Sequence, residues 1–458
     1  MQVLRYRLMI ASLLLSACSS SPVSQHDIDE ATQAQTPSVT NDRVVAAEVN
    51  AGWINTFNDP VLVQLVEEAQ SNNKQLQAAA ANVERALALV NQAAAGLKPA
   101  LNLAAGSSRS GSREGSAPEI DNRNIGLQLN WELDVWGRIR AGEQASIASA
   151  QAAMADYRYA QQSLAATTIK AYATTIEAKL QTEIVRETLK SLEETLRIVN
   201  VRYQNGLASA QDLALTRSDI AAAREQLTAI EGSQRDAVRA LEILLGRYPS
   251  AELALRDSLP DIPPSPPAGI PSDLLERRAD IVAAERRVAA AFNAVAQAKA
   301  ARLPSFSLTS NIGGASSSLS NVLDPANTSW QLGANLLAPL FDGGARKAQV
   351  KISKAEQKQA LAAYGQAALQ AFSEIETYLD QGVTLNKREV DLKEALHQAN
   401  KAHRIAKLRY KEGESDLLDV LTIQQRVNGT KSSLTAIQRL LVEQRVNLHL
   451  ALGGNWER

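Results

Sequence analysis

Apolar residues follow the same spacing in two stretches of this chain that lie 207 residues apart. In each stretch, successive apolar positions step by 4, 3, 4, 3 and 4 residues. They are Val185, Leu189, Leu192, Leu196, Val199 and Tyr203 in the first stretch, with Leu392, Leu396, Ala399, His403, Ala406 and Tyr410 at equivalent positions in the second. This spacing is typical of coiled coils, and its repetition at a fixed distance indicates one structural unit used twice.

Both apolar seams end in the motif Arg-Tyr-x-x-Gly, followed by acidic residues. The residues are Arg202, Tyr203, Gly206 and Asp212 in the first stretch, and Arg409, Tyr410, Gly413, Asp416 and Asp419 in the second. Glycine readily adopts the left-handed conformation that ends a helix, so each motif predicts a tip where an ascending helix reverses. Acids in the first turn of the returning helix favour its dipole. Capping is the simpler interpretation of each acid, because a role in a pore requires several tips to converge.

The helices that lead to these tips are predicted to be very long. No proline occurs between Pro118 and Pro249, or after Pro339. From Gly137 to the first Arg-Tyr pair the helical pattern continues for about 65 residues, which corresponds to a rod of about 100 Å. Helices in globular proteins average only about 11–12 residues, so the pattern indicates a chain that spans a distance.

Alternating apolar and polar residues follow the breaks at Pro99 and Pro304 and predict four strands in two hairpins, with Gly/Ser-rich loops at 106–124 and 313–329. The clearest strand carries apolar residues at Ile125, Leu127, Leu129, Trp131, Leu133 and Val135. A half-buried hairpin of a soluble protein is the alternative, but four strands cannot cover their own edges. Strands from several chains could pair and remove this difficulty. Because the helices contain no membrane-spanning apolar run, the strands are the candidates to cross a bilayer.

The N-terminus has the form of a bacterial lipoprotein signal. Basic residues precede a short apolar run, and Leu15-Ser16-Ala17-Cys18 resembles the lipobox, in which the cysteine becomes the acylated first residue. Cys18 is the single cysteine, so no disulfide can form within the chain. We expect residues 1–17 to be a signal peptide, Cys18 to carry lipid and residues 18–50 to form an extended tether.

The rest of the chain divides into two repeats. Six prolines from Pro260 to Pro271 mark a semi-rigid connector. We therefore expect a first repeat at 51–258, a linker at 259–271 and a second repeat at 272–458. Each repeat is expected to have a helix, a hairpin of strands and a long helical hairpin. The first helix is predicted to begin near Asn58-Asp59-Pro60, where a polar capping candidate precedes a proline, and to run to about Gly96.

Composition and motifs give no reason to expect catalysis or nucleic-acid binding. The formal net charge is −1, and no basic stretch is interleaved with aromatic residues. The four histidines are scattered, and the chain has no P-loop, GxSxG or HExxH motif. We expect no enzyme activity, no cofactor and no metal site.

Short matches in order from about Trp53 to Trp456, together with the lipobox, resemble the TolC family of outer-membrane efflux proteins, and most closely its lipoprotein branch. The matches are Phe57-x-Asp59-Pro60-x-Leu62, Trp131-Glu132-x-Asp134-x-Trp136-Gly137, Leu274-Leu275-Glu276-Arg277-Arg278-x-Asp280-Ile281, both Arg-Tyr-x-x-Gly motifs and Leu452-Gly453-Gly454-x-Trp456. Ala279 is a departure, since the family usually has proline there.

The resemblance implies an α+β membrane protein that functions as a homotrimer. Four strands from each chain would form one transmembrane β-barrel, and the helices would form a coiled-coil barrel in the periplasm. The implied function is a passive outer-membrane duct that exports drugs or other small molecules in a tripartite pump. Its implied partners are a periplasmic adaptor, an inner-membrane pump and outer-membrane lipid.

The resemblance also implies a periplasmic gate at the tips. Tyr410, Asp419 and Asp212 match residues that hold the tunnel shut in TolC, whereas Ser415 and Thr422 replace an Arg and an Asp of that lock. A different lock is therefore expected. We expect Asp419 to lie near the threefold axis, Asp416 nearby, and Tyr410 to reach towards Asp212 on a neighbouring coil.

Two alternatives belong to other functional classes. The first is a non-transporting periplasmic scaffold lipoprotein, against which the alternating strands and Gly/Ser-rich loops argue. The second is an enzyme, for which no nucleophile or metal set is visible. Conductance in a bilayer would separate the duct from the scaffold, and hydrolytic turnover would support the enzyme.

Overall fold

The computed structural model describes residues 52–111, 119–264 and 277–454. The expected signal peptide (1–17), Cys18 and the tether (18–50) lie outside the described residues, as does most of the linker. The helices are α1 Pro60–Asn72, α2 Lys74–Ala95, α3 Arg138–Gln204, α4 Ala210–Leu244, α5 Ala279–Ala300, α6 Ala345–Glu412 and α7 Leu417–Ala451. The strands are β1 Ala100–Ser110, β2 Ile120–Leu133, β3 Ser305–Ser316 and β4 Thr328–Leu337.

The helix bounds follow the 207-residue offset of the sequence. Helices α4 and α7 have 35 residues each, and both their first and last residues are 207 apart. Helices α3 and α6 have 67 and 68 residues and start at the same offset, so the prediction of very long helices is confirmed. Glycines next to the ends of these helices have positive φ and form pairs at the same offset: Gly137 with Gly344, Gly206 with Gly413, and Gly246 with Gly453.

The helix predicted to run from about Asn58 to Gly96 is in fact two helices. It breaks at Asn73, whose Oδ1 accepts hydrogen bonds from the backbone N–H groups of Gln75 (2.9 Å) and Leu76 (3.1 Å) at the start of α2. The Asn73 side chain also donates to the carbonyl of Leu244 at 3.0 Å. A tertiary hydrogen bond to the end of α4 therefore stabilises the break. Such a bond cannot be predicted from the local sequence pattern.

The chain divides into two compact units. One contains the strands and comprises Ala81–Ala155 and Ile281–Ala367 of the described residues. Its strands form one antiparallel sheet in the order β1-β2-β3-β4, which confirms the four predicted strands. The strands extend further into the Gly/Ser-rich segments than predicted, because backbone pairing continues to Ser110 opposite Ile120 and to Ser316 opposite Arg123.

The two faces of this sheet have opposite character. One row across all four strands on the first face is Leu103, Leu127, Ile312 and Trp330, and the neighbouring row on the second face is Asn102, Gln128, Asn311 and Gln331. Apolar side chains on the first face are exposed to a high degree, with Leu103 at 69% and Trp330 at 77%. Within this sheet, β1 and β4 each pair on one side.

The other unit comprises the described residues within 52–80, 156–280 and 368–454, and its helices pack in buried clusters. The largest cluster joins α1, α3, α4 and α7 and includes Trp53, Phe57, Leu62, Ile169, Tyr172, Leu241, Val442 and Val446. Burial of each such side chain contributes about 1.5–3 kcal/mol. The predicted helix start at Asp59 is confirmed, and this carboxylate is fully buried. It caps α1 and also accepts hydrogen bonds from Tyr172 Oη (3.2 Å) and Arg256 Nη1 (2.9 Å).

Candidate functional site at the helical tips

The first tip is the turn between α3 and α4. Helix α3 ends in a Schellman-type turn, in which Leu207 N donates to Arg202 O at 2.8 Å and Gly206 N donates to Tyr203 O at 3.0 Å. Gly206 has a φ of +73°, a conformation that favours glycine. Ser209 and Asp212 then form a capping box at the start of α4: Asp212 N donates to Ser209 Oγ at 3.0 Å, and Ser209 N donates to the Asp212 carboxylate at 2.9 Å.

The second tip, between α6 and α7, repeats this geometry. Glu414 N donates to Arg409 O at 2.9 Å, Gly413 N donates to Tyr410 O at 3.1 Å, and Gly413 has a φ of +84°. Asp416 takes the capping position that Ser209 has in the first tip, and it accepts a hydrogen bond from Asp419 N at 3.0 Å. The capping interpretation therefore holds for Asp212 and Asp416. The structure shows no hydrogen bond or ion pair of the Asp419 carboxylate within its described residues.

An apolar cluster joins the two tips within one chain. The side chains come from both helical hairpins and are Leu192, Val199, Ile220, Ala223, Ala406, Tyr410, Leu417, Val420 and Leu421. They include members of both predicted seams, so the four-three spacing marks the surface on which one hairpin packs against the other. Tyr410 is 5% exposed at this position.

Arg202 of the first tip binds the backbone of the second tip. Its Nη1 donates to Tyr410 O at 2.9 Å and lies 3.4 Å from Lys411 O. Its Nη2 lies 3.4 Å from Leu207 O in its own turn. The guanidinium carbon is 4.9 Å from the centre of the Tyr410 ring, which is cation–π geometry. One side chain thus holds two turns that are more than 200 residues apart in sequence.

Tyr410 and Asp212 share no hydrogen bond within the described part of the chain. Burial raises the pKa of the Tyr410 hydroxyl, the charge of Arg202 lowers it, and the charge of Asp212 raises it. The Tyr410 hydroxyl is buried and has no hydrogen-bond partner in the described part of the chain. The Asp212 carboxylate bonds instead to its own capping box. Within one chain, the direct link between the tips is therefore Arg202, and the approach of Tyr410 to Asp212 stays a prediction.

Sequence reasoning identified Arg202 only as a residue of the turn. The signal that could have found its role is the repeated Arg-Tyr pair, since an arginine kept beside an aromatic ring in both repeats is suited to cation–π contact. The sequence could not tell which tyrosine it contacts, because the arginine contacts the tyrosine of the other repeat.

A groove of about 540 Å³ lies on the same hairpins, among α3, α4 and α7. Its lining mixes apolar side chains such as Ile184 and Val185 with polar ones such as Asp219, Gln424 and Asn428. Burial raises the pKa of Asp219, and the Gln424 side-chain oxygen is buried without a hydrogen-bond partner in the described residues. This groove is an amphipathic surface on which a helix could pack.

The described residues contain no cluster of three or more His, Cys, Asp or Glu side chains that could hold a metal ion. Burial, with a smaller contribution from Lys407, lowers the pKa of His403, which occupies a seam position. Among the same residues, every helix is too short or too polar to span a membrane.

Comparisons with known proteins agree on one family. The family model for outer membrane efflux proteins matches residues 65–247 and 270–454. The chain is 32% identical to the pyoverdine export outer membrane protein OpmQ of Pseudomonas aeruginosa, over 98% of this chain and 96% of that protein. It is 29% identical to the cation efflux system protein CusC of Escherichia coli, over 98% of each. Among solved structures, the outer-membrane channel OprN is similar, with a TM-score of 0.84 and 28% sequence identity. The match covers 92% of this chain and 96% of OprN.

Proposed function

The chain belongs to the outer membrane efflux protein family, and we propose how its sheet and tips build the channel. It is the outer-membrane channel of a tripartite efflux pump, a passive duct rather than an enzyme, and it extends into the periplasm. The scaffold alternative is not favoured, because the relatives are efflux channels.

Three chains form the channel in this proposal. The observation that carries it is the sheet, which has one exposed apolar face, one polar face and an unpaired edge at each side. Three such sheets joined edge to edge make a barrel of twelve strands, with apolar side chains towards lipid and polar ones towards the lumen. The exposed edges of β1 and β4 are then paired. The helices of the three chains form a coiled-coil tunnel in the periplasm.

The lumen of this barrel carries almost no charge. Among the paired residues on the polar face, Glu132 is the one ionisable side chain, and Arg138 Nη2 binds it at 2.7 Å. Four amide side chains form one row across the sheet, so a trimer has a ring of twelve. A wide ring of neutral amides does not discriminate by charge, so substrates of either sign and neutral ones could pass through this barrel.

The two repeats supply the periplasmic end. We assign residues 51–258 to the first repeat, 259–271 to the linker and 272–458 to the second. Of the linker, described residues 259–264 form neither helix nor strand. Asp212, Tyr410, Asp416 and Asp419 are assigned to the gate, with Asp419 facing the threefold axis. The adaptor of the pump is proposed to bind the helical hairpins, for which the groove among α3, α4 and α7 offers an amphipathic surface.

The N-terminus anchors the channel in this proposal. Cys18 carries acyl chains after removal of residues 1–17, and each buried methylene contributes about 0.8 kcal/mol to membrane attachment. Mass spectrometry of the mature protein is expected to find an acylated N-terminal cysteine. A mature chain that begins elsewhere and lacks lipid would contradict this assignment.

Purified protein in detergent tests the channel itself. Mass photometry is expected to give the mass of three chains, and the same preparation is expected to conduct ions in a planar bilayer. A stable monomer would exclude the barrel, and a trimer without any conductance would exclude the duct.

A further inference from the structure

The two tips of one chain are equivalent in geometry but not in their contacts. Arg202 Nη2 lies 3.4 Å from Leu207 O, and at the 207-residue offset Arg409 Nη2 lies 3.5 Å from Glu414 O. Both guanidinium groups therefore take the same position relative to their own turn. Arg202 then uses Nη1 to bind the second tip, whereas Arg409 Nη1 has no acceptor in the described chain. The Arg409 side chain is 57% exposed.

The surface that Arg202 covers on the second tip is left open on the first tip. Tyr410 is 5% exposed, but its equivalent Tyr203 is 43% exposed. A methyl group added at Gly413 would lie 3.8 Å from Arg202 Nη2, while one added at Gly206 would have no neighbour within 4 Å. Each chain therefore has one arginine, Arg409, that binds its own turn but no other tip, and one turn, at Tyr203, that no arginine covers. Arg409 belongs to the second tip and the uncovered turn belongs to the first, so they correspond to the donor and the acceptor of the contact that Arg202 makes with the second tip.

We propose that Arg409 binds the first tip of the adjacent subunit as Arg202 binds the second tip of its own chain. At the 207-residue offset, its targets are the backbone carbonyls of Tyr203 of the partner subunit and Gln204 of the partner subunit, together with the tyrosine ring. The Glu414 carboxylate, 3.7 Å from Arg409 Nε, orients the guanidinium from the other side. This inference rests on the trimer of the proposed function, because a single chain leaves the contact unmade.

The arrangement separates two kinds of contact at the tips. The Arg202 contacts lie within chains and keep the two hairpins of one subunit together. The Arg409 contacts lie between chains, so they are the ones that must break when subunits move apart at the tunnel entrance. Arg409 is thereby the lock between subunits, in a chain that has Ser415 at the position where TolC has an arginine of its lock.

Cross-linking tests the contact directly in the full-length trimer. Arg409→Cys combined with Gln204→Cys is expected to give covalent dimers and trimers with a short bismaleimide. The matched control, Arg202→Cys with Lys411→Cys, reproduces the equivalent contact within one chain and is expected to remain monomeric on denaturing gels. Mass photometry of the same samples reports whether trimers are present. Intact trimers without cross-links between subunits in the first pair would overturn this inference alone, while absence of trimers would overturn the proposed function as well.

Conductance tests the consequence. Arg409→Ala is expected to raise the fraction of time that single channels are open by at least about tenfold, the effect of losing one hydrogen bond from a charged group. Tyr203→Ala is expected to have a similar effect. Glu414→Ala removes the intrachain partner of Arg409 but leaves the arginine, so it is expected to change the open fraction far less. An Arg409→Ala channel that gates like the wild type, or a Glu414→Ala channel that opens as much, would contradict the proposed lock.

Discussion

Arg202 links the two tips of each chain, and its replacement by alanine should loosen them by a measurable amount. The change removes the 2.9 Å hydrogen bond to Tyr410 O and the cation–π contact at 4.9 Å. A hydrogen bond from a charged group contributes about 1.5–3 kcal/mol, and the partial exposure of Arg202 favours the lower value. The cation–π contact contributes about 0.5–1 kcal/mol at such a site. The contacts at 3.4 Å are too long to contribute much.

The sum is about 2–2.5 kcal/mol, which corresponds to about a 30- to 60-fold change in the equilibrium between docked and separated tips. Hydrogen exchange of the trimer in detergent measures this equilibrium, because backbone amides at the helix ends exchange when the tips separate. Protection is expected to fall in peptides that cover residues 196–207 and 404–416. Protection near Asn73, in a different part of the chain, is expected to stay the same.

Arg224→Ala provides the matched control. Arg224 Nη2 pairs with Glu193 Oε1 at 3.0 Å on the surface of the same hairpin, and both side chains are exposed. An exposed pair of this kind contributes about 0.2–1 kcal/mol, so protection should change by less than about fivefold. If Arg202→Ala lowers protection at the tips no more than Arg224→Ala does, the reasoning about this link is wrong.

Three further predictions concern stability and ion selection. Burial and the nearby Arg445 lower the pKa of His449 from 6.5 to about 4, so between these values the unfolded state binds more protons and stability rises with pH. His449→Phe should therefore remove up to about 3 kcal/mol of pH-dependent destabilisation between pH 6.5 and 4, seen as melting temperatures that no longer fall on acidification. Asp419→Ala should weaken cation selectivity or divalent-cation block in a bilayer. The control Asp416→Ser keeps a capping side chain and tests whether any acid at the tip matters equally. Unchanged selectivity and block in Asp419→Ala would show that Asp419 is only a solvated acid. Gln128→Glu should make the channel more cation-selective by adding charge to a neutral ring, and an unshifted reversal potential would place Gln128 outside the lumen.

The elements of this fold were predictable because their signals are local. The four-three spacing of the seams, the alternation of β2 and the glycines at the tips each constrain a few consecutive residues. The structure confirms the predicted helices and strands: the long helices have 67, 35, 68 and 35 residues, and four strands form one antiparallel sheet. The prediction of one continuous helix from about Asn58 to Gly96 was wrong. The helix breaks at Asn73, whose side chain donates a hydrogen bond to the distant carbonyl of Leu244.

The contacts at the candidate site were less predictable because they join residues far apart in sequence. The cap at Asp59 was expected from the proline that follows it, but Arg256 and Tyr172 as partners of its carboxylate were not. In the same way, the motif at Arg202 predicted a turn but not the carbonyl of Tyr410 as its acceptor. The two repeats have equivalent tips by sequence. Only the tertiary structure shows that Arg202 contacts the tip of the other repeat and not its own tyrosine.

The distribution of charge decides where such a duct can select ions. On the polar face of the sheet, the paired residues offer amides, hydroxyls and one carboxylate that is already bound to Arg138. At the tips, by contrast, the Asp419 carboxylate has no hydrogen bond or ion pair in the described chain, and Asp416 lies at the start of the same helix. Like charges that converge on a narrow ring repel one another and attract cations, whereas a wide neutral ring does neither. We therefore expect selection at the periplasmic entrance, so that Asp419→Ala should reduce an existing preference while Gln128→Glu should create one that the wild-type barrel lacks.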